Sequence, residues 1–327
     1  MPRFQSATVS DIIEQRDGLQ KVQLDDGSRA YALTDVVGRP QIGDVVVVNT
    51  IAVDLGLGTG GWHVVHWIDS NRSPSPKPDE NVLKARYLSE QIEVSPYIST
   101  RSDLQGARVL LCLLHSHIGG VAITSASARL GYLMTDQAAL PLALSDLAQQ
   151  LIEVNRIAMT ATAGQAFGGD LEVVNVPSGV AGLLDNDCPR ILVGAGPGHV
   201  GTASPLGFSG LELAGHASAL KSLGAEVGLC VRASDVDARE RHQGISHHTE
   251  TILKAIPNQI EVPVPLGFDT AWVSDIGHKP RSMEPTDVAS AISDMGVTVT
   301  TMARPLAEDA LACSYLGAAS AWLMEDT

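Results

Sequence analysis

The chain has 327 residues, of which 44% are hydrophobic and 18% charged, as is typical of a soluble globular protein with a sizeable core and room for two domains. Its formal charge of −15 would repel nucleic-acid phosphates and anionic membranes, so we expect neither as a partner. No run approaches the ~20 apolar residues of a spanning helix, and no signal peptide is recognisable, which predicts a cytoplasmic protein. A small anionic molecule remains a candidate ligand.

Residues 1–70 have the pattern of short β-strands. Alternating or apolar runs lie at residues 21–24, 30–37, 45–49 and 62–68, and Asp25-Asp26-Gly27 is a hairpin turn signal. This spacing predicts a small β-barrel or sandwich domain. Residues 56–61, GLGTGG, are either a flexible connector or a second binding loop. The Pro-rich stretch 71–80, NRSPSPKPDE, predicts a linker.

Residues 81–327 alternate between strand and helix patterns. The predicted strands are 108–114, 156–160, 190–193, 226–231, 259–264 and 297–302. The predicted helices are 137–154, 171–184, 209–223, 247–256, 285–295 and 305–324. We therefore expect an α/β domain with a mostly parallel sheet covered by helices on both faces, and this domain should carry the functional site.

A glycine-rich loop follows the strand at 190–193. Gly196, Gly198 and Gly201 can expose backbone N–H groups to an anion, and Thr202 and Ser204 add hydroxyl donors. We predict that these five residues bind an anionic ligand. Gly196 to Gly201 also fits the GxGxxG dinucleotide fingerprint, but Pro205 and Gly207 interrupt the helix that should follow, and the acidic residue expected ~20 residues later is absent.

Ligands of parallel sheets bind beyond the carboxyl ends of the strands, where this chain places several polar side chains. His199 and His247 are the predicted acid/base residues, and Asp170 is predicted to orient a ligand or metal. Ser246 is the expected N-cap of the helix that starts with His247. The dipole of that helix favours the neutral form of the His247 imidazole. Solvent-facing histidines are an equally good interpretation.

Arg232 and Arg241 complete the predicted ligand-binding residues, since a guanidinium can bind a carboxylate or phosphate with two hydrogen bonds. The alternative is a solvated face on which these arginines pair with nearby acidic residues.

Metal binding has little support in the sequence. His115 and His117 would point the same way on an extended chain and are weak candidate ligands, but bonding to backbone carbonyls at a strand end is the favoured interpretation. No cysteine–histidine cluster and no HExxH motif strengthens the metal hypothesis. The sequence identifies no cofactor.

Six motifs in this order resemble an uncharacterised bacterial domain-of-unknown-function family over nearly the whole chain. They are GLGTGG (56–61), YLMTD (132–136), GQAFGGD (164–170), GPGHVGT (196–202), GFSGLE (207–212) and RHQGISHHT (241–249). The resemblance implies a fold and a site location but no established activity. Pro177 departs from an unbroken helix over 171–184.

The leading hypothesis is an enzyme that carries out hydrolysis or group transfer on a small anionic metabolite. The first alternative is a non-catalytic ligand-binding or assembly module, and association into a homo-oligomer is compatible with either. The second alternative is a nicotinamide- or flavin-dependent oxidoreductase.

Overall fold

A computed structural model describes residues 3–56, 60–70, 82–125, 129–137, 140–202 and 204–325. Contacts divide the chain into two units, residues 1–95 with 139–144, and residues 96–138 with 145–327. The predicted linker 71–80 and residues 57–59 of the GLGTGG motif lie outside the described residues. Of the helices in the described ranges, none combines the length and apolarity that crossing a membrane requires.

The first unit contains a closed five-stranded barrel, which confirms the predicted small β-barrel. Its elements are β1 (Phe4–Arg16), β2 (Leu19–Leu24), β3 (Arg29–Leu33), α1 (Thr34–Val37), β4 (Val45–Asn49), α2 (Ile51–Asp54) and β5 (His63–Ile68), and the strand order is β1-β2-β3-β5-β4. Alternate residues such as Val22, Leu24, Val46 and Val48 fill the barrel because strand side chains alternate between faces. β6 (Val82–Lys84) and β7 (Ile92–Val94) form an antiparallel pair.

The second unit is built on an eight-stranded parallel sheet, which confirms the predicted α/β domain with a mostly parallel sheet. The strands of this sheet are β8 (Arg108–Cys112), β9 (Leu130–Thr135), β10 (Met159–Ala163), β11 (Leu171–Val173), β12 (Arg190–Ala195), β13 (Glu226–Cys230), β16 (Glu261–Pro265) and β17 (Lys279–Met283). Four short strands lie outside the sheet: β14 (Ala233–Ser234), β15 (Gly244–Ile245), β18 (Thr300–Thr301) and β19 (Arg304–Pro305). The order across the sheet is β11-β10-β9-β12-β8-β13-β16-β17.

Helices cover both faces of this sheet. They are α3 (His115–Thr124), α4 (Asp146–Glu153), α5 (Val176–Asp185), α6 (Leu213–Ser222), α7 (His247–Ala255), α8 (Ala271–Asp275), α9 (Val288–Met295) and α10 (Ala310–Met324). α3 packs with α4, α9 and α10, whereas α6 packs with α5 and α7. The two groups correspond to the two faces, because successive right-handed crossovers in opposite directions place their helices on opposite sides.

The topology identifies the edge at which a ligand should bind. From β8 the chain passes β12 to reach β9, and from β12 it passes β8 to reach β13. The connections that leave β8 and β12 therefore diverge, which makes the carboxyl ends of these two strands the topological switch point of the sheet. His115 follows the first of these ends and the glycine-rich loop follows the second.

Several predicted segments differ from the structure. The predicted strand 297–302 is reduced to Thr300–Thr301 of β18, which pairs with β19 outside the large sheet, and in the predicted helix 137–154 helix α4 occupies only Asp146–Glu153.

Residues 115–124, for which no helix was predicted, form helix α3, and a Cβ on Gly120 would lie 2.6 Å from Leu316 of α10. Residues 171–184 divide into β11 and α5. Pro177 lies in the first turn of α5, where its missing N–H is not needed.

Gly194 in β12 illustrates how closely these strands pack. A Cβ on Gly194 would lie 2.7 Å from the backbone carbonyl oxygen of Cys112, which cannot move without disturbing β8. This glycine, at the start of the glycine-rich segment, is therefore required by packing rather than by a ligand.

We expect Gly194→Ala to lower the free energy of unfolding by about 1–3 kcal/mol, the usual cost of overpacking a core. Gly215→Ala is the matched control, because Gly215 is exposed on α6 with open space at its Cβ position, and alanine there should stabilise the helix by up to ~1 kcal/mol. Urea unfolding measures both. Equal midpoints for the two variants would contradict the packing argument.

Candidate functional site

The carboxyl edge of the sheet brings together most of the predicted site residues. His199 lies in the loop after β12, Arg232 lies two residues beyond the end of β13, and His247 begins α7. The charge of Arg232 acts on the pKa of both histidines, and that of Arg241 acts on the pKa of His247. These four residues therefore share one region.

Asp170 does not belong to this region. Its Oδ2 accepts hydrogen bonds of 2.8 Å from both the backbone N–H and the hydroxyl of Thr160, the second residue of β10. Because β11 runs parallel to β10, the loop 164–170 must return to the amino ends of the strands before β11 begins. The sequence-based expectation that Asp170 orients a ligand beside His199 is therefore wrong.

The glycine-rich loop uses several backbone N–H groups internally. Those of Val200, Thr202 and Ser204 donate to Ser209 Oγ, the Gly207 carbonyl and Thr202 Oγ1, respectively. Gly198, Gly201, Thr202 and Ser204 are exposed, whereas Gly196 is buried. Residues 201 and 208 are bridged as in a small hairpin. The predicted anion site on the N–H groups of Gly196, Gly198 and Gly201 stays a prediction.

His115 and His117 do not share a direction, because they lie in the first turn of α3 rather than on an extended chain. His115 uses both ring nitrogens, with Nδ1 3.1 Å from the Ala195 carbonyl oxygen and Nε2 2.7 Å from Ser145 Oγ. Bonding to a backbone carbonyl was the favoured interpretation and it is confirmed for His115. The two side chains cannot form a joint metal site.

Three histidines form a compact group, the histidine cluster of His242, His247 and His248. The ring of His247 lies 5.2 Å from that of His242 and 4.3 Å from that of His248. His248 stacks on Phe208 of the glycine-rich segment at 3.8 Å. Ser246 caps α7, as predicted, and fixes the backbone direction from which the last two imidazoles extend.

Hydrogen bonds commit two of these imidazoles to structural roles. Arg232 Nη1 donates to His248 Nδ1 at 3.2 Å, which leaves the proton of the neutral ring on Nε2. Arg241 Nε donates to His242 Nε2 at 3.3 Å, so His242 carries its proton on Nδ1 and donates it to Ser246 Oγ at 2.7 Å. The tautomers of His242 and His248 are thereby set.

His247 and His199 differ from these two rings. The Nε2 atom of each is buried and has no hydrogen-bond partner among the described residues. His199 Nδ1 lies 3.4 Å from Ser209 Oγ. Each therefore has one ring nitrogen available for proton transfer.

Burial and positive charge keep the cluster neutral. Burial, followed by the charge of Arg232, lowers the pKa of His242 and that of His248 to about 3. Burial lowers the pKa of His199 to about 4, and burial with the Arg241 charge lowers that of His247. At neutral pH these imidazoles are uncharged, and a bound anion beside them would raise their pKa values.

Arg232 connects the histidine cluster with an acidic group. Its side chain is 8% exposed, and its Nη2 lies 3.6 Å from Asp237 Oδ2. Arg239 binds Asp237 through Nε and Nη2 and, by these hydrogen bonds, holds the pKa of Asp237 well below its usual value. Burial lowers the pKa of Arg232 to about 10, so its guanidinium stays charged at neutral pH.

The cluster resembles a metal site only in spacing. Its three histidines offer ligand atoms within 4.8 Å of one another. Arginine N–H groups already occupy a lone pair of His242 and of His248, and two neighbouring guanidinium charges oppose a divalent cation. The residues present therefore fit an anionic ligand better than a metal ion.

Sequence reasoning did not predict His242, His248, Phe208 or Asp237 as site residues. His242 lies inside the RHQGISHHT motif, which was a usable signal. Asp237 had a signal too, because it is one of the acidic residues expected to pair with the nearby arginines, and it does pair with Arg232 and Arg239. Phe208 had none, because its stacking on His248 joins two segments that are distant in the sequence.

A family model with the description "Protein of unknown function (DUF3866)" matches residues 29–320. The chain belongs to the DUF3866 family. The match confirms the resemblance inferred from the motifs and spans both structural units. Among curated proteins, no match to this DUF3866 chain was found.

The low histidine pKa values predict that stability falls on acidification. The pKa of histidine in an unfolded chain is about 6.5. In the folded chain burial lowers the pKa of His115 and His199 to about 4 and that of His242 and His248 to about 3. Between these values the unfolded chain binds protons that the folded chain does not, so the free energy of unfolding decreases as the pH falls from about 6.5 to 4.

Urea unfolding at about pH 7.5 and pH 5 measures this dependence. His242→Asn removes one of the depressed groups and should make the loss of stability between the two pH values smaller than in the wild type. A wild-type stability that rises on acidification would contradict the prediction.

Proposed function

We propose that this DUF3866 protein is an enzyme that carries out hydrolysis or group transfer on a small anionic metabolite at the carboxyl edge of its parallel sheet. The observation that carries the proposal is the pair of buried, unpartnered Nε2 atoms of His247 and His199 near the charged Arg232. Free imidazole nitrogens near a buried guanidinium combine a proton acceptor with an anion-binding group.

The mechanism follows from the charges. An anionic group attracted by Arg232 would raise the pKa of the adjacent imidazoles toward neutrality, where a general acid or base works best. His247 would then accept a proton from the attacking nucleophile, and His199 would donate one to the leaving group. Arg241 is exposed beside His242 and would contact the outer part of the ligand.

A non-catalytic ligand-binding module would use the same arginines without proton transfer, so turnover distinguishes the two functions. The oxidoreductase alternative has weaker support. No helix begins at Gly201, because the loop folds back as a hairpin and α6 starts only at Leu213.

Native mass spectrometry of the purified chain would report a copurified anion and the number of subunits. For turnover, p-nitrophenyl phosphate and p-nitrophenyl acetate are general probes of phosphoryl and acyl transfer. We expect His247→Gln to lower kcat about 100-fold or more and to leave KM nearly unchanged, since removal of a general base affects chemistry rather than binding.

His199→Gln should lower kcat in the same direction, whereas His66→Gln, in the barrel unit, is the matched control and should leave kcat unchanged. Full turnover in both the His247 and His199 variants would refute their acid/base roles. A copurified anion that is released unchanged, with no turnover of either probe, would favour the non-catalytic function.

A further inference from the structure

A small pocket lies beyond the carboxyl ends of β8 and β13, where the β18–β19 turn and the start of α10 close it. Its wall contains His117 of α3, Arg232, Asp237, Arg304 of β19 and Asp309, the N-cap of α10. We name it the Arg304 pocket. Arg232 lines this pocket and also donates to His248 of the histidine cluster, whereas most of the other wall residues belong to different elements.

Three buried nitrogen atoms of this wall have no hydrogen-bond partner in the described part of the chain: His117 Nδ1, Arg232 Nη2 and Arg304 Nε. His117 is 5% exposed and Arg232 is 6% exposed. Buried polar atoms are almost always satisfied in native proteins, so the two guanidinium donors indicate a missing acceptor, and His117 Nδ1 adds a third donor when its ring carries the proton on Nδ1. Arg304 is held in place by the hydrogen bond from its Nη1 to the Val236 carbonyl at 3.0 Å.

The carboxylates of the same wall already have donors. Asp237 accepts from Arg239 Nε at 3.0 Å and from Arg239 Nη2 at 2.8 Å. Asp309 accepts from the Ser234 hydroxyl and, at 3.0 Å, from the backbone N–H of Ala312. The acceptors are therefore occupied, whereas Arg304 Nε has no hydrogen-bond partner among the described residues and Arg232 Nη2 has only the longer 3.6 Å contact with Asp237 Oδ2. The wall contains two arginines and two carboxylates, and Arg239, which lies outside it, already offsets the charge of Asp237.

We propose that the Arg304 pocket binds the oxyanion of a small metabolite, a carboxylate or a phosphate, through Arg232 Nη2, Arg304 Nε and His117 Nδ1. The inference rests on the proposed function for its class of ligand and gives that ligand a specific binding site. An oxyanion supplies several lone pairs within a small volume, as the three donors require. Arg232 would then contact both the ligand and His248, which connects anion binding to the histidine cluster.

The test is the binding of inorganic phosphate and, separately, of acetate to the full chain, measured by thermal shift and isothermal titration at constant ionic strength with chloride as reference. We expect one of the two anions to bind with one site per chain. Binding of phosphate alone would indicate a phosphate group in the natural ligand, and binding of acetate alone a carboxylate.

Arg304→Gln should weaken the preferred anion at least tenfold. Arg101→Gln is the matched control, because it removes the same charge from the same unit but breaks only an exposed ion pair with Asp185, and it should bind as the wild type does. Arg304→Lys keeps the charge without the Nε donor and should also bind more weakly, which provides a second variant if Arg304→Gln does not fold.

Anion binding no tighter than that of chloride would overturn the inference, as would equal affinities of the Arg304 and Arg101 variants. Failure of this inference is separable from failure of the proposed function. The binding of phosphate or acetate by the Arg304 variants tests the pocket. The turnover of the His247 and His199 variants tests the proposed function. Loss of turnover in the histidine variants with anion binding unaffected by Arg304→Gln would refute the pocket alone.

Discussion

The buried guanidinium of Arg232 is the constraint around which the carboxyl edge of the sheet is arranged. Burying a charge is costly unless other groups replace its hydration. Here His248 accepts one N–H bond and Asp237 lies 3.6 Å from a second nitrogen, with Arg239 in turn binding Asp237. Arg232 also lines the Arg304 pocket, and its Nη2 has no hydrogen-bond partner among the described residues.

This arrangement explains how three histidines can lie together as neutral rings. The positive charge of Arg232, added to burial, keeps His242 and His248 neutral, and arginine donors select their tautomers. His247 lies beside these two fixed rings, and its buried Nε2 has no hydrogen-bond partner among the residues that the structure describes. A neutral imidazole held by rigid neighbours loses little entropy when it transfers a proton, which is the physical basis for giving it the acid/base role.

The two candidate regions of the site are supplied by different parts of the fold. The histidine cluster comes from the segment after β13, with Phe208 from the β12 connection stacked on His248. The Arg304 pocket adds α3, the β18–β19 turn and the start of α10. Both lie at the edge where the β8 and β12 connections diverge, and Arg232 is common to them. An anion bound by Arg232 would therefore change the electrostatic environment of the histidines directly.

Local sequence pattern determined the type of element along most of the chain. Alternating apolar residues predicted the barrel, strand–helix alternation predicted the parallel sheet, and Ser246 marked the start of α7, because side-chain periodicity and capping act over a few residues. The same local signals suggested His199, His247, Arg232 and Arg241.

Tertiary structure alone decided where these groups lie. Strand direction took Asp170 to the opposite edge of the sheet, and Gly119 and Gly120 lie within helix α3, where Gly120 packs closely against Leu316 of α10. Arg304 entered the pocket from a hairpin more than seventy positions beyond Arg232. Sheet order and long-range packing depend on the whole chain at once, so no short stretch of sequence contains them.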